Sequence, residues 1–241
     1  SEAPAYAYQA QTGRRIGLNL GYHCVGFYQQ SDFDSNGKLK SGIASPTWAS
    51  NLQPGDLKYA DLNGDGVINE ADETYISKPN IPTFTYGISM GASYKGFSVN
   101  LLWQGSTGYA IPNMGGNLVP FNNNLQEIMV DRWTPQNTNA RFPRLGITTW
   151  DNNNYNVHPS DFWYINASYL RLRTAELAYQ VPQKWLYNVT KNVIKSVRVY
   201  ITGYNLFNFT NLNKLSMDPE ASDSNAYPTQ SSYMLGVQCA F

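Results

Sequence analysis

Phe84, Tyr86, Ile88, Met90, Ala92 and Tyr94 alternate with Thr85, Gly87, Ser89, Gly91 and Ser93. After Lys95-Gly96 the alternation resumes as Phe97, Val99, Leu101 and Trp103 against Ser98, Asn100 and Gln104. A side-chain period of two gathers the large apolar groups on one face of an extended chain and the small or polar ones on the other. The pattern therefore reads as a β-hairpin, with Gly96 able to take the positive φ that a tight turn needs. Aromatic residues at both ends of each strand, with aliphatic ones between, match the interfacial girdles of a membrane barrel. A soluble sandwich shows the same alternation, with shorter strands and a more charged outer face.

Three further strands follow. Val197, Val199 and Ile201 oppose Arg198, Tyr200 and Thr202. Between Tyr169 and Val181 the parity changes, Leu170 and Leu172 on one side and Ala175, Leu177 and Tyr179 on the other, which implies a bulge near Arg173. The last ten residues place Tyr233, Leu235, Val237, Cys239 and Phe241 on one face, as the closing strand of an outer-membrane barrel does. Connections alternate in length. Lys95-Gly96 and Pro182 to Ser196 are short or moderate, whereas those from about 105 to 168 and 208 to 231 are long and rich in Asn, Gly, Pro and Trp. Barrels of this type have short periplasmic turns and long external loops, so Phe241 is expected at the periplasmic end. The expected organisation is thus an extracellular loop region with room for a barrel strand over 1–83, then C-terminal barrel strands over 84–241.

Composition agrees with an uncharged, aromatic surface. Charged residues make up 14%, against roughly 25% in ordinary soluble domains, alongside 18 Tyr, 6 Trp and 10 Phe. Lys plus Arg and Asp plus Glu balance at 17 each with no basic stretch, so nucleic acid has no electrostatic attraction to this chain. No apolar run approaches 18 residues, which excludes a helical span but not a barrel. Cys24 and Cys239 make neither a disulfide framework nor a metal cluster. Ser1-Glu2-Ala3-Pro4 is no signal peptide, so the chain reads as a mature protein or a piece of a longer one.

The segment from Asp61 to Asp72 (DLNGDGVINEAD) matches a calcium loop. Asp61, Asn63 and Asp65 offer oxygens at alternate positions, Gly66 permits the turn, Val67 offers its carbonyl, and Ile68 anchors the loop on a core. Asp72 stands where an EF-hand has Glu, and no helix pair flanks the loop. A structural Ca2+ is the expectation, with an ion-free Asx-rich turn as the alternative. No organic cofactor is expected.

No residues assemble a catalytic spacing. His23 and His158 stand apart from any nucleophile or paired acid, and neither Asp161 with Glu176 nor Asp218 with Glu220 makes a convincing carboxylate pair, so no enzyme is expected. The external loops hold Tyr109, Trp133, Trp150, Tyr155, Trp163 and Tyr164 among many Asn residues. Aromatic faces and amides suit sugar recognition, while packing of loops against one another is the simpler role for any single ring.

Several segments together carry a resemblance: Pro54-Gly55-Asp56-Leu57-Lys58-Tyr59-Ala60 running into the acidic loop, Phe84-Thr85-Tyr86-Gly87, Tyr169-Leu170-Arg171-Leu172-Arg173 with Leu177-Ala178-Tyr179, Asn205-Leu206-Phe207 with Asp218-Pro219-Glu220, and the final Phe241. In this order and spacing the chain resembles the C-terminal part of a SusC/RagA-type TonB-dependent outer-membrane transporter of the Bacteroidetes. The resemblance implies an all-β, antiparallel transmembrane barrel of 22 strands, of which the last several are present here. It also implies an N-terminal plug and TonB contact outside this chain, a SusD-like lipoprotein lid, uptake of oligosaccharides or peptides, and Phe241 as the barrel-closing signal. Two alternatives stay open: a soluble secreted carbohydrate-binding β-sandwich with a structural calcium loop, and a passive porin-like barrel.

Overall fold

A computed structural model describes residues 6–112, 127–146, 156, 158–191, 193–215, 217–220, 227 and 229–241. In chain order its strands are β1 (Leu20–Gly21), β2 (Cys24–Phe27), β3 (Ser45–Pro46), β4 (Leu57–Tyr59), β5 (Val67–Ile68), β6 (Thr74–Tyr75), β7 (Phe84–Tyr94), β8 (Phe97–Thr107), β9 (Ala110–Pro112), β10 (Tyr164–Asn166), β11 (Tyr169–Gln180), β12 (Ser196–Thr210) and β13 (Ser232–Ala240). One α-helix, α1 (Gln183–Thr190), joins β11 to β12. The chain divides into two compact units, Ser1–Ile81 with Ala110–Asn166 and Asp223–Asn225, and Pro82–Tyr109 with Ala167–Ser222 and Ala226–Phe241.

The second unit is a five-stranded antiparallel sheet in the order β13-β12-β11-β8-β7. Residues directly opposite in neighbouring strands share a face. Thus Ala92, Val99, Leu177, Ile201 and Leu235 form one row across the sheet, and Tyr94, Phe97, Tyr179, Val199 and Val237 the next. This apolar face is open: Ile201 is 47% and Leu235 78% exposed, and among the described residues no second sheet packs on it. A sandwich would cover this face with a second sheet. Phe84 and Tyr94 bound β7, and its ten residue steps at about 3.4 Å, tilted by about 40°, give a band about 26 Å tall.

Local chemistry sets the register. Lys95 and Gly96 both take positive φ, 47° and 90°, the mirror-image turn that suits the twist of a hairpin. A side chain at Gly96 would meet the Gln180 carbonyl at 2.9 Å, so only glycine fits there. The change of parity in β11 is a bulge between Leu172 and Thr174, seen against both β8 and β12. Beside it Asn205 of β12 is left-handed, at φ 53°. The bulge keeps Leu172 opposite Trp103 and Phe207, so both halves of β11 contribute to the apolar face.

Strands β8 and β12 run further than the alternation alone suggests. Pairing of Phe84 with Thr107 and of Tyr169 with Thr210 extends the ladders. The long connections therefore begin at 108 and 211.

The first unit is built differently. Before Phe84 no described strand exceeds four residues, so the barrel strand allowed for in 1–83 is absent among the described residues. Crossing a bilayer takes about 9–11 residues in a strand, and here turns punctuated by Gly, Pro and Asp cut the chain first. The core comes from aromatic and aliphatic side chains, with Tyr28, Leu57 and Ile68 fully buried and Tyr59, Phe142 and Trp163 nearly so.

Candidate functional site

The acidic loop is held by its own backbone. Asp61 Oδ1 accepts the amide of Gly64 at 2.7 Å and Oδ2 that of Gly66 at 2.8 Å, Asn63 Oδ1 accepts from Asp65, and Asp65 Oδ1 accepts from Val67. Gly64 and Gly66 both have positive φ. Asp72 is fully buried and clasps the loop shut through the amides of Leu62 and Asn69. Ile68 anchors the loop in the core. A carboxylate oxygen that accepts one amide keeps a second lone pair, so Asp61, Asn63 and Asp65 retain donor capacity for a hard cation. Among the described residues no three His, Cys, Asp or Glu side chains converge as a metal-holding group.

A second clasp in the same unit escaped sequence reasoning. Asp56 is buried and receives Arg144 Nε at 2.7 Å, Asn156 Nδ2 at 2.9 Å and the Gln53 amide at 2.9 Å. Burial pushes its carboxyl up from the usual range, against the lowering pull of Arg144 and of these hydrogen bonds. Asn156 also accepts the Leu57 amide through Oδ1 and the Trp163 indole through its carbonyl. The signal was a lone Asp beside a turn, which sequence spacing does not connect to Arg144.

Of the aromatic candidates, Trp133 and Trp163 are buried in the first unit at 7% and 2% exposure, and Trp133 packs on Gly55, where a Cβ would strike its ring. Tyr164 is half-buried in β10. Tyr109, in the second unit, is buried and donates its hydroxyl to the Pro219 carbonyl at 2.8 Å. Burial raises its phenol pKa. Trp150 and Tyr155 lie outside the described residues. The buried rings pack the interior and present no face to a ligand. His23 pairs with Asp161, while His158 lies 4.7 Å from Trp48 and has its pKa lowered by burial.

The polar face of the sheet carries the most connected group of charges. Arg171 is buried, donates Nη2 to Asp218 Oδ1 at 2.7 Å, and pairs through Nη1 with Glu220. Arg173, on the bulge, pairs with Glu220 as well, and donates to Gln104 at 2.8 Å and Asn205 at 3.0 Å. Tyr169 donates its hydroxyl to Glu220 at 2.8 Å. Burial raises the Asp218 carboxyl, but the amides of Glu220 and Thr229 and the Arg171 guanidinium outweigh it and hold the pKa below the ordinary value. The loop segment after β12 is thereby tied to the polar face of the wall. An open cavity of about 460 Å³ lies beside this tie, lined by Arg171, Asn205, Asn208, Asn213, Asp218 and Thr229 among others. Further down the same face, Glu176 bridges Arg198 at 2.6 Å and Asn100 at 3.2 Å. The sequence signal was two arginines two apart in a sparsely charged chain, with Asp-Pro-Glu downstream.

An open apolar face, aromatic residues at both ends and a charged, hydrogen-bonded opposite face are the features that a section of a transmembrane β-barrel wall presents. No family model matches the chain. The chain is 31% identical over 245 residues to TonB-dependent receptor P3 of Formosa agariphila, covering 98% of this chain and 22% of that protein. It is 27% identical over 233 residues to TonB-dependent receptor SusC of Bacteroides thetaiotaomicron, covering 92% of this chain and 20% of that protein. In fold it matches a chain of the RagAB peptide importer in its open-open state, with TM-score 0.62, 23% identity, 92% of this chain and 22% of that one. The closed-closed state gives 0.58 at 24% identity. The chain belongs to the SusC/RagA-type TonB-dependent outer-membrane transporters, matches their C-terminal portion, and is an outer-membrane protein. It spans about a fifth of the length of the curated relatives it matches.

Proposed function

We propose that this chain supplies the last strands and external loops of a TonB-dependent importer that carries oligosaccharides across the outer membrane together with a SusD-like lipoprotein. The observation that carries the reading is the match along 98% of the chain to a TonB-dependent receptor. The polar face would line the lumen, and the Arg171-Asp218-Glu220 tie would fix the loop after β12 beside the substrate route. The protein contributes a route and binding groups with no covalent chemistry. Import of peptides is the second reading, supported by the fold shared with the RagAB peptide importer. In both, TonB contact and the plug lie outside this chain. The loop over 61–72 would hold a structural Ca2+ through Asp61, Asn63, Asp65, the Val67 carbonyl and Asp72.

The test is uptake by cells carrying the complete gene or a deletion, each offered labelled oligosaccharides or labelled peptides, with any lipoprotein that co-purifies with the transporter identified and deleted in turn. Oligosaccharide uptake lost on deletion and on removal of the lipoprotein supports the proposal. Loss of peptide uptake alone replaces it with the second reading, and no uptake defect removes both.

A further inference from the structure

Helix α1 departs from the usual economy of a barrel turn. It begins at Gln183, behind Pro182 at its N-cap two residues beyond the end of β11, and closes with Lys191 left-handed at φ 49° before the chain re-enters the sheet at Ser196. Thr190 Oγ1 donates to the Leu186 carbonyl and accepts the Ile194 amide, which fixes the exit. Leu186 is half-buried, but the other large apolar side chains are open: Trp185 is 69%, Val189 83% and Tyr187 61% exposed, with Val193 beyond it at 66%. Trp185 and Val189, four residues apart, share one helical face. Lys184, Lys191 and Lys195 are also exposed, Lys195 donating one Nζ hydrogen to the Phe241 carbonyl at 3.0 Å and keeping two, and no Asp or Glu lies between Glu176 and Asp218.

The segment stands between β11 and β12, so β8 and β13 flank it within this chain, and both of its neighbouring strands are present. It sits at the sheet end that carries the Lys95-Gly96 turn, Tyr94, Phe97, Tyr179 and Phe241, where the apolar band reaches its limit. A short helix with exposed Trp and Val, a lysine collar and no acid has the makeup of an element lying in the boundary between headgroups and acyl chains. Each lysine near an anionic surface contributes about 1 kcal/mol, or about fivefold in affinity.

We infer that α1 is an interfacial anchor, with Trp185, Val189 and Val193 seated in the periplasmic leaflet and Lys184, Lys191 and Lys195 on the phosphates of anionic phospholipid. The assignment of leaflet rests on the orientation proposed above. The anchor would fix the vertical position of the barrel beside its closing strand.

The test uses the full-length transporter in nanodiscs containing phosphatidylglycerol brominated on the acyl chain. The quenching difference between the parent and Trp185→Phe isolates this indole. Loss of bromine-quenched, blue-shifted emission in the variant supports the anchor. Loss of an acrylamide-quenched component, or of one quenched by neither agent, overturns it in favour of water or of another part of the protein. Replacing the three lysines by Gln should abolish retention of phosphatidylglycerol over phosphatidylcholine, by about fivefold per lysine, and unchanged retention removes the charge role. In whole cells, Lys191→Cys in a transporter whose other cysteines, Cys24 and Cys239 among them, are replaced by Ser should react with a membrane-impermeant maleimide only after the outer membrane is opened. Labelling in intact cells would overturn the orientation, while the bromine arm reports separately on lipid contact.

Discussion

Arg171 and Asp218 are both almost fully buried and paired at 2.7 Å, with Glu220 as a second, more exposed partner of the same guanidinium. Breaking a buried pair leaves an uncompensated charge, at a cost of about 3–5 kcal/mol. Arg171→Ala should therefore loosen the segment after β12 and expose it to protease in the detergent-purified transporter, while Arg173→Ala, on a more exposed side chain, should do so less. The pH dependence has a definite sign. An acid titrating lower in the fold than in the unfolded chain stabilises the fold above its unfolded value of about 3.9, and that contribution is lost as pH falls through the lower folded value. Protease sensitivity of the loop should stay flat from neutral pH to about 4 and rise only below, and Asp218→Asn should be sensitive throughout. In the acidic loop, Asp65 accepts the Val67 amide as well as being a proposed cation ligand. Asp65→Ala should abolish calcium binding measured by calorimetry and loosen the loop without altering barrel assembly. A loop equally protected from hydrogen exchange with and without chelator would remove the cation from the account.

At the scale of the element, the strands follow their sequence closely because alternation, turn residues and burial all act on the same ten-residue stretch. The Lys95-Gly96 turn and the bulge at Arg173 were both legible, the first from glycine and the second from a change of parity. The helix was not. Within a chain read for period two, Pro182 and the spacing of Trp185 and Val189 were weak signals beside five strands. The buried clasps were hidden for another reason: Asp56 and Arg144 are 88 residues apart, and no local pattern announces such a pair. Facing gives a direct prediction. Leu235→Arg, on the apolar face near mid-strand, should cost about 2–4 kcal/mol and lower the folded fraction in a heat-modifiability assay. Gln238→Arg, on the polar face, should be tolerated. Equal damage from both would mean that β13 does not separate lipid from lumen. Deleting Phe241 should reduce assembled protein in the outer membrane far more than transport per assembled molecule, and an unchanged assembled level would contradict a barrel-closing role.

For the whole molecule, the two units obey different physics. The sheet leaves its apolar residues exposed on one face, as a wall with lipid for solvent would, whereas the first unit buries Tyr28, Leu57 and Trp163 as a water-soluble domain does. That contrast explains why loop aromatics suggestive of sugar contact, Trp133 and Trp163, turn out to be core. Composition distinguishes an aromatic-rich chain but not which rings are covered. The account predicts that the sheet's two edges, β7 and β13, are hydrogen-bonded to further strands of a barrel, since every backbone group in the bilayer core needs a partner. The central claim is that this sheet is membrane wall with its apolar face in lipid. A nitroxide scan of Ser232 to Ala240 in the reconstituted full-length transporter tests it most directly. The account predicts high oxygen accessibility at Tyr233, Leu235, Val237 and Cys239, and preference for a water-soluble nickel chelate at the positions between them. A profile without that two-residue alternation, or with the two sets exchanged, would contradict it.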